Sequence, residues 1–223
     1  GTDPDLCLNM TRWAELVAFC DETGLNLVFG LNGMTRQNNS APADLANHDA
    51  FFAHITTHGQ RVYGFEFGNE KSKIDPEVMA RDFIALAALV AKHWPDARTR
   101  PRIIGNDLNT NPVYLAKFLP VAGHVLDVVT YHDYAGYGHD PELAQKIPTV
   151  EFLDSVWRRA AGVQAQQLAH APTAELWAGE LAAAYASGRD GVTNTFISSF
   201  WYADTLGILA RHNHTGMCRQ TLL

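Results

Sequence analysis

Two glutamates stand where their carboxyl groups could act together on one substrate. Glu70 follows an apolar run at residues 62–67, and Glu180 ends a second apolar run at residues 176–180. Two carboxyl groups roughly 5–5.5 Å apart can cleave a glycosidic bond by double displacement, one as acid and base and the other as nucleophile. Such closeness pushes their pKa values apart, so that one group stays protonated while the other is ionised. The pair predicts a retaining glycoside hydrolase, provided that both strands lead to one cleft.

The elements that must position this pair alternate between helical and strand periodicity, which is typical of repeated βα units. Thr11 is the predicted N-cap of the first helix, and Gly24 lies just past its end. Later helices are predicted at residues 44–57, 76–94, 112–118, 150–170 and 192–211. Strands are predicted at residues 25–31, 62–67, 102–104, 125–131, 176–180 and 216–223.

Six strands, each preceded by a helix, predict a parallel α/β sheet that is either doubly wound or part of a (β/α)8 barrel. No Gly-x-Gly-x-x-Gly follows any strand, which disfavours a nucleotide-binding fold. The strands are followed instead by polar side chains: Asn32, Asn69, Glu70, Asp107, His132, Asp133, Tyr134, Glu180, Arg219 and Gln220. Barrel enzymes carry their chemistry at the C-terminal ends of strands. We therefore predict a (β/α)8 TIM barrel, present as a fragment covering roughly strands 3 to 8.

The bulk composition restricts partners and location. A net charge of −7 disfavours nucleic acid and densely sulfated polyanions as partners. No apolar stretch is long enough to span a bilayer. Three glycosylation sequons, beginning at Asn9, Asn38 and Asn213, favour the secretory pathway. The expected locations are the extracellular space or cell wall, a lysosome- or vacuole-like compartment, or a peripheral position on a membrane.

The ends of the chain predict that it is a piece of a longer product. It starts at Gly1 without methionine and stops in an apolar run at residues 221–223. Residues 1–223 are predicted to form one catalytic barrel fragment without the first two βα units. Six strands cannot close an eight-stranded barrel, so the isolated fragment is expected to expose sheet edges and to be inactive.

No metal or cofactor is predicted. The cysteines Cys7, Cys20 and Cys218 have neither a metal-site spacing nor an even number for a disulfide framework, and Cys20 is expected to be buried. His212 and His214 lack further partners that would complete a ligand set. A carboxyl pair hydrolyses glycosides without either aid.

Five ordered segments carry a resemblance to a known family. They are MTRWAELVAFCDETGLNLVFGLNG at residues 10–33, VYGFEFGNE at 62–70, VLDVVTYHDY at 125–134, WAGE with AAAYASGRD within 177–190, and TFISSFWYADTLGILARHNHTGMCRQTLL at 195–223. Together they resemble glycoside hydrolase family 79, the heparanases, and look most similar to plant-type heparanase-like proteins. The resemblance implies a β-glucuronidase that acts on a glycan containing glucuronic acid, with a C-terminal β-sandwich outside this chain.

The resemblance also implies a role for individual residues. Glu70 would be the acid and base, and Glu180 the nucleophile that forms a glycosyl-enzyme intermediate. Tyr134 would donate a hydrogen bond to the nucleophile, and His132 would line the same floor. The other implied substrate-binding positions are Asn69 at a sugar hydroxyl, Asn32, Asp107 and Gln220 at subsites, and Tyr185 and Gly188 at the substrate carboxylate.

Some residues depart from the family pattern and keep two alternatives open. Lys71 directly follows the acid, where a cation would lower the pKa of Glu70 unless its side chain points away. Leu181, Ala182 and Ala183 are bulkier than usual after the nucleophile and could narrow the pocket. One alternative is a non-catalytic, glycan-binding barrel, and the other is a barrel glycosidase acting on neutral sugars. Phe196, Phe200 and Trp201 are predicted to be core residues rather than a sugar platform.

Overall fold

The computed structural model describes residues 8–220, so predictions about Cys7 and residues 221–223 lie outside the described part of the chain. The strands are β1 (Val28–Leu31), β2 (Gly64–Phe67), β3 (Arg102–Asn109), β4 (Val128–Tyr137), β5 (Glu175–Tyr185) and β6 (His214–Arg219). The helices are α1 (Met10–Thr23), α2 (Ala46–Thr57), α3 (Pro76–His93), α4 (Pro112–Ala122), α5 (Leu143–Lys146), α6 (Val150–His170) and α7 (Ser198–Arg211).

The six strands form one sheet in strict chain order, from β1 to β6, and every neighbouring pair is parallel. The sheet curls into a half-barrel with helices between successive strands, which confirms the predicted barrel fragment. Because all strands run in one direction, their C-terminal ends meet at the same edge. That edge carries the candidate active site.

Helix α1 shows how the sequence sets an element. Trp13, Val17 and Cys20 repeat at helical spacing and are buried against the sheet, as predicted for Cys20. The prediction of Thr11 as N-cap was wrong, because the Asn9 side chain accepts a hydrogen bond from the Arg12 amide and the helix begins earlier. Gly24 ends the helix in the left-handed conformation, as predicted.

The main core lies between the sheet and the helices. Its centre is aromatic, and its fully buried phenylalanines are Phe52, Phe65, Phe67, Phe83 and Phe118. Alternate residues of a strand face opposite sides of a sheet. Phe65 and Phe67 of β2 pack into this core, so Glu66 between them faces the concave interior of the barrel.

Strands β3, β4 and β5 extend beyond their predicted ends. Strands β4 and β5 stay paired from His132↔Glu180 as far as Tyr137↔Tyr185. Helix α7, in contrast, begins at Ser198 rather than at residue 192. The core prediction was wrong for Phe196 and Phe200, whose exposed fractions are 79% and 52%. Trp201 is buried as predicted, and Phe200, one residue earlier, lies about 100° around the helix from it.

An ion pair fastens the opposite, N-terminal edge of the sheet. Arg102 donates to Glu175 Oε1 at 2.7 Å and to the Tyr63 hydroxyl at 2.8 Å. Its guanidinium carbon also lies 5.5 Å from the centroid of the Tyr63 ring and 5.4 Å from that of the Trp177 ring. Within the described residues, no helix is both long and apolar enough to cross a membrane.

Candidate active site

Glu70 and Glu180 meet at the C-terminal edge of the sheet. One oxygen of each carboxyl group and one ring nitrogen of His132 all lie within 4.8 Å of one another. All three side chains line a cleft of about 1120 Å³. The two glutamates are 110 residues apart in the sequence, and the curl of the parallel sheet brings the ends of β2 and β5 together.

The turn after β2 presents Glu70. Gly68 has a positive φ of 79°, and its amide donates to the Leu31 carbonyl at 2.8 Å. Glu70 itself has a positive φ of 50°, and its amide donates to the Asp107 carbonyl at 2.9 Å. A non-glycine residue in this conformation persists only when its surroundings hold it. Two neighbouring strands therefore fix the backbone that carries the Glu70 carboxyl group.

Glu180 projects from β5 and is held by β4. The Tyr134 hydroxyl donates a short hydrogen bond to Glu180 Oε1. Burial, followed by the hydrogen bond to Glu180 and the nearby negative charges, raises the pKa of Tyr134 well above its usual value. Tyr134 consequently stays protonated and remains a donor to the carboxylate.

His132 lies between the two glutamates. Its Nδ1 is 2.9 Å from Glu70 Oε1 and 3.7 Å from Glu180 Oε2. Burial opposes the charged form, but interactions with Asp107, Glu70 and the charge of Glu180 outweigh it and raise the pKa of His132 to about 9. Near neutral pH the ring is an imidazolium that donates to Glu70.

Two further carboxyl groups lie beneath His132. Asp107 is 3% exposed, and its Oδ1 is 3.8 Å from His132 Nε2. Gly179 makes room for it, because a Cβ at residue 179 would lie 3.1 Å from Asp107 Oδ1. Burial and the charge of Asp107 raise the pKa of Glu66 to about 8. Glu66 is therefore neutral at pH 7, and the interior carries less negative charge than its residues suggest.

Only some of the other predicted site residues line the cleft. Tyr134, Tyr185, Gly188 and Gln220 line the cleft with the two glutamates and His132. Asn69 is exposed beside Glu70, and the Asn32 side chain accepts a hydrogen bond from the Met34 amide in its own loop. Asp107 lies below His132 rather than at the cleft surface.

Several cleft features were missed in the sequence. Arg159 of α6 forms a close ion pair with Asp133 of β4, and both line the cleft. Burial raises the pKa of Asp133, although Arg159 opposes the shift. Glu66 was also missed, even though a charged residue between Phe65 and Phe67 is a sequence signal for an interior carboxyl group. The helix rotation that directs Arg159 into the cleft has no comparable signal.

Lys71 does not pair with Glu70 in the described part of the chain. Within residues 8–220 it forms no ion pair with Glu70, and its Cγ lies 3.1 Å from where a Cβ on Gly68 would be.

The carboxylate oxygens of Glu70 and Glu180 and the ring nitrogen of His132 are close enough together to ligate a metal ion. The hydrogen bond between His132 and Glu70 already accounts for the shortest of these contacts. The absence of a metal requirement stays a prediction.

Comparison with known proteins gives a consistent result. A family model described as "Glycosyl hydrolase family 79, N-terminal domain" matches residues 4–207. "Heparanase-like protein 2" of Arabidopsis thaliana is 34% identical over 97% of this chain and 43% of its own length. "Baicalin-beta-D-glucuronidase" of Scutellaria baicalensis is 30% identical over 97% of this chain and 46% of its own length. The chain thus spans less than half the length of these two relatives.

The fold also matches solved structures. The 4-O-alpha-L-rhamnosyl-beta-D-glucuronidase of Fusarium oxysporum superimposes with a TM-score of 0.64, over 93% of this chain and 46% of the other. At 15% sequence identity this similarity concerns the fold alone.

Proposed function

This chain belongs to glycosyl hydrolase family 79, and we propose that it is the catalytic part of a retaining glycosidase that cleaves β-glucuronide-type linkages. The observation that supports this reading best is the meeting of Glu70 and Glu180, with oxygens within 4.8 Å, at one cleft. A separation of this order suits direct attack by one carboxylate, whereas inverting enzymes hold their two carboxyl groups about 6.5–9.5 Å apart.

The proposed reaction has two steps. In the first, Glu180 attacks the anomeric carbon while Glu70 gives its proton to the glycosidic oxygen, so the C–O bond breaks and a glycosyl ester forms. In the second, Glu70 takes a proton from water, and the water oxygen displaces Glu180 from the anomeric carbon. Both carboxyl groups return to their starting states, and the sugar keeps its configuration.

The neighbours of the pair support these roles. Tyr134 orients one oxygen of Glu180, which leaves the other free to attack. His132 donates to Glu70 Oε1, so Oε2 is the oxygen available to carry the transferred proton. Once Glu70 has given up its proton, the imidazolium stabilises the carboxylate that forms.

The loop after β5 supports recognition of a uronate carboxylate. Ala186, Ser187 and Gly188 have successive positive φ values of 59°, 61° and 67°. Consecutive backbone N–H groups in such turns can form a concave site for an anion. This loop lines the cleft beside Tyr185, where the family resemblance places the substrate carboxylate.

The test is turnover of an aryl β-D-glucuronide by the full-length protein and its Glu70→Ala and Glu180→Ala variants. Loss of the acid and base should cost about 10²- to 10⁴-fold in rate, and loss of the nucleophile should abolish turnover. Glu77→Ala and Glu142→Ala are matched controls, because both side chains are exposed and remote from the cleft. NMR of the first product formed should show the retained anomer.

Two outcomes favour the alternatives. A wild-type rate no higher than that of either variant favours a glycan-binding barrel without catalysis. Faster turnover of an aryl β-D-glucoside than of the glucuronide favours an enzyme for neutral sugars.

Location in the secretory pathway is part of the proposal. The asparagines of the three sequons, Asn9, Asn38 and Asn213, are exposed. A mass decrease on enzymatic deglycosylation of protein from its native source would test it.

A further inference from the structure

A buried ion pair outside the cleft lies beneath the β1 loop, which we define as residues 32–45. Arg36 of this loop donates from Nη1 to Asp82 Oδ2 of α3 at 2.7 Å. The two side chains are only 1% and 4% exposed. Neither residue has a part in the proposed chemistry, so the burial of two charges calls for another explanation.

The pair ties both ends of the β1 loop to α3. Arg36 donates from Nε and Nη2 to the Gly33 carbonyl, at 3.0 and 2.6 Å, and from Nη1 to the Ala41 carbonyl at 3.1 Å. The second oxygen of Asp82 accepts a hydrogen bond from the Ala43 amide at 3.0 Å. Each charge is therefore hydrogen-bonded to the backbone as well as to its partner.

Gly33, near the start of the β1 loop, packs directly against the turn that carries Glu70. A Cβ on Gly33 would lie 3.2 Å from Gly68 Cα and 3.3 Å from Gly68 N, so the two backbones are in direct contact. Gly68 lies two residues before Glu70. On its other side, the same turn is bonded to Asp107 through the Glu70 amide.

Helix α3 connects the Glu70 turn to Asp82. It begins immediately after the Glu70 turn, where Asp75 caps its first amides, and Asp82 follows on the same helix. Arg36 thus links the segment that packs against the Glu70 turn to the helix that leaves it. We propose that the buried Arg36–Asp82 pair is a positioning device that holds the Glu70 carboxyl group in line with the glycosidic oxygen. This inference rests on the proposed function.

A displaced acid has a specific kinetic signature. Misplacement by about 1 Å can cost about 10²-fold in rate. That loss falls on proton transfer to the leaving oxygen, which an alkoxide requires and an acidic phenol such as 2,4-dinitrophenol does not. If the Arg36–Asp82 pair only stabilised the fold, its loss would lower activity on both kinds of substrate equally.

The experiment compares methyl and 2,4-dinitrophenyl β-D-glucuronides with full-length protein carrying Arg36→Met, Asp82→Asn, or Arg36→Met with Asp82→Leu. The double variant leaves no buried charge unpaired and so protects the fold. Arg102→Met and Glu175→Gln are matched controls, because their ion pair is also 2.7 Å long but lies at the far edge of the sheet. Every rate is measured well below the melting temperature of its variant.

We expect kcat/KM for the methyl glucuronide to fall about 10- to 100-fold in the Arg36 and Asp82 variants, with a much smaller change for the dinitrophenyl substrate. The control variants should melt earlier without changing the ratio between the substrates. An unchanged ratio in the Arg36 and Asp82 variants would overturn the inference.

Failure of the proposed function gives a different result. In that case the wild type turns over neither glucuronide, and a crystal structure of the double variant decides the positioning role separately. A Glu70 carboxyl group displaced relative to Glu180 supports it, and one that superimposes on the wild type refutes it.

Discussion

Tyr134 and His132 lie two residues apart on β4 and stabilise the two carboxyl groups differently. His132 carries a positive charge, whereas Tyr134 supplies a neutral hydroxyl to Glu180. A hydrogen bond to an ionised group contributes about 1.5–3 kcal/mol. Side chains of one strand therefore bind both carboxyl groups of the proposed catalytic pair.

Replacing Tyr134 with phenylalanine removes only the hydroxyl that donates to Glu180, and so tests the contribution of this hydrogen bond. We expect kcat for an aryl glucuronide to fall about 10- to 100-fold, because the nucleophile loses its donor, with KM little changed. Tyr63→Phe is the matched control, since its hydroxyl pairs with Arg102 at the far edge of the sheet. An undiminished kcat in Tyr134→Phe would show that the hydrogen bond has no catalytic role.

The sequence predicted which residues lie at strand ends, but it did not predict how deeply each one is buried. Glu70, Glu180 and Tyr134 could be predicted, because each follows or ends an apolar run. Asp107 was predicted at a subsite, but a register shift between Gly105 and Leu108 accompanies its position under His132. Such irregularities depend on pairing with neighbouring strands and have no local sequence signal.

At the scale of elements, close backbone contact between two loops shapes the cleft. A Cβ on Gly138, just after β4, would lie 2.1 Å from the Gly188 carbonyl oxygen and 2.8 Å from that of Tyr185. The Gly138 amide donates to that same Tyr185 carbonyl. The loop proposed to bind the substrate carboxylate therefore rests on a residue that has no room for a side chain.

Gly138→Ala should separate the two loops and raise KM for an aryl glucuronide several-fold, because backbone atoms cannot rotate out of the way. Overpacking of this kind costs about 1–3 kcal/mol. Steady-state kinetics with a glucuronide and the matching glucoside will show whether the loss concerns carboxylate recognition. Equal losses on both substrates would contradict the assignment of the loop.

Two other glycines lie at positions where replacement by alanine is expected to stabilise the protein. A Cβ added to Gly162 in α6 or to Gly207 in α7 would have no atom within 4 Å apart from its chain neighbours and the nearby backbone of its own helix. Alanine at either site should raise the free energy of unfolding by about 0.5–1 kcal/mol, because glycine loses more backbone freedom on folding. Denaturant unfolding measures the change, and kinetics should remain as in the wild type. A loss of stability would show that α6 or α7 packs differently.

Element types were predictable from periodicity, whereas boundaries were not. Helix α3 has a proline at its start and a regular apolar face, and the prediction placed it well. The extensions of β4 and β5 come from pairing between them, which neither segment specifies alone. Helix α7 also starts later than predicted, and the short α5 was not predicted.

At the scale of the whole molecule, the interior acid cluster links stability to pH. The folded protein holds protons on Glu66 and His132, whose pKa values are raised to about 8 and about 9, above those of the unfolded chain. Between the unfolded and folded pKa values, from 4.5 to about 8 for Glu66 and from 6.5 to about 9 for His132, the unfolded state binds fewer protons, so both groups lower stability as pH rises. Each proton contributes about 1.4 kcal/mol per pH unit.

Unfolding at a series of pH values will test this, with Glu66→Gln expected to flatten the part of the decline that ends near pH 8. The remaining decline, up to about pH 9, belongs to His132. Glu142→Gln, on an exposed side chain, should follow the wild type. If Glu66→Gln and wild type lose stability in parallel over this range, Glu66 is ionised in the folded protein.

The strict chain order of the sheet also has a consequence for biogenesis. Each strand from β2 to β6 hydrogen-bonds to the strand made just before it. A nascent chain leaving the ribosome can therefore add one βα unit at a time to a growing edge, without waiting for distant segments. Glu70 is made before Glu180, so the cleft cannot be complete until β5 and β6 have been added.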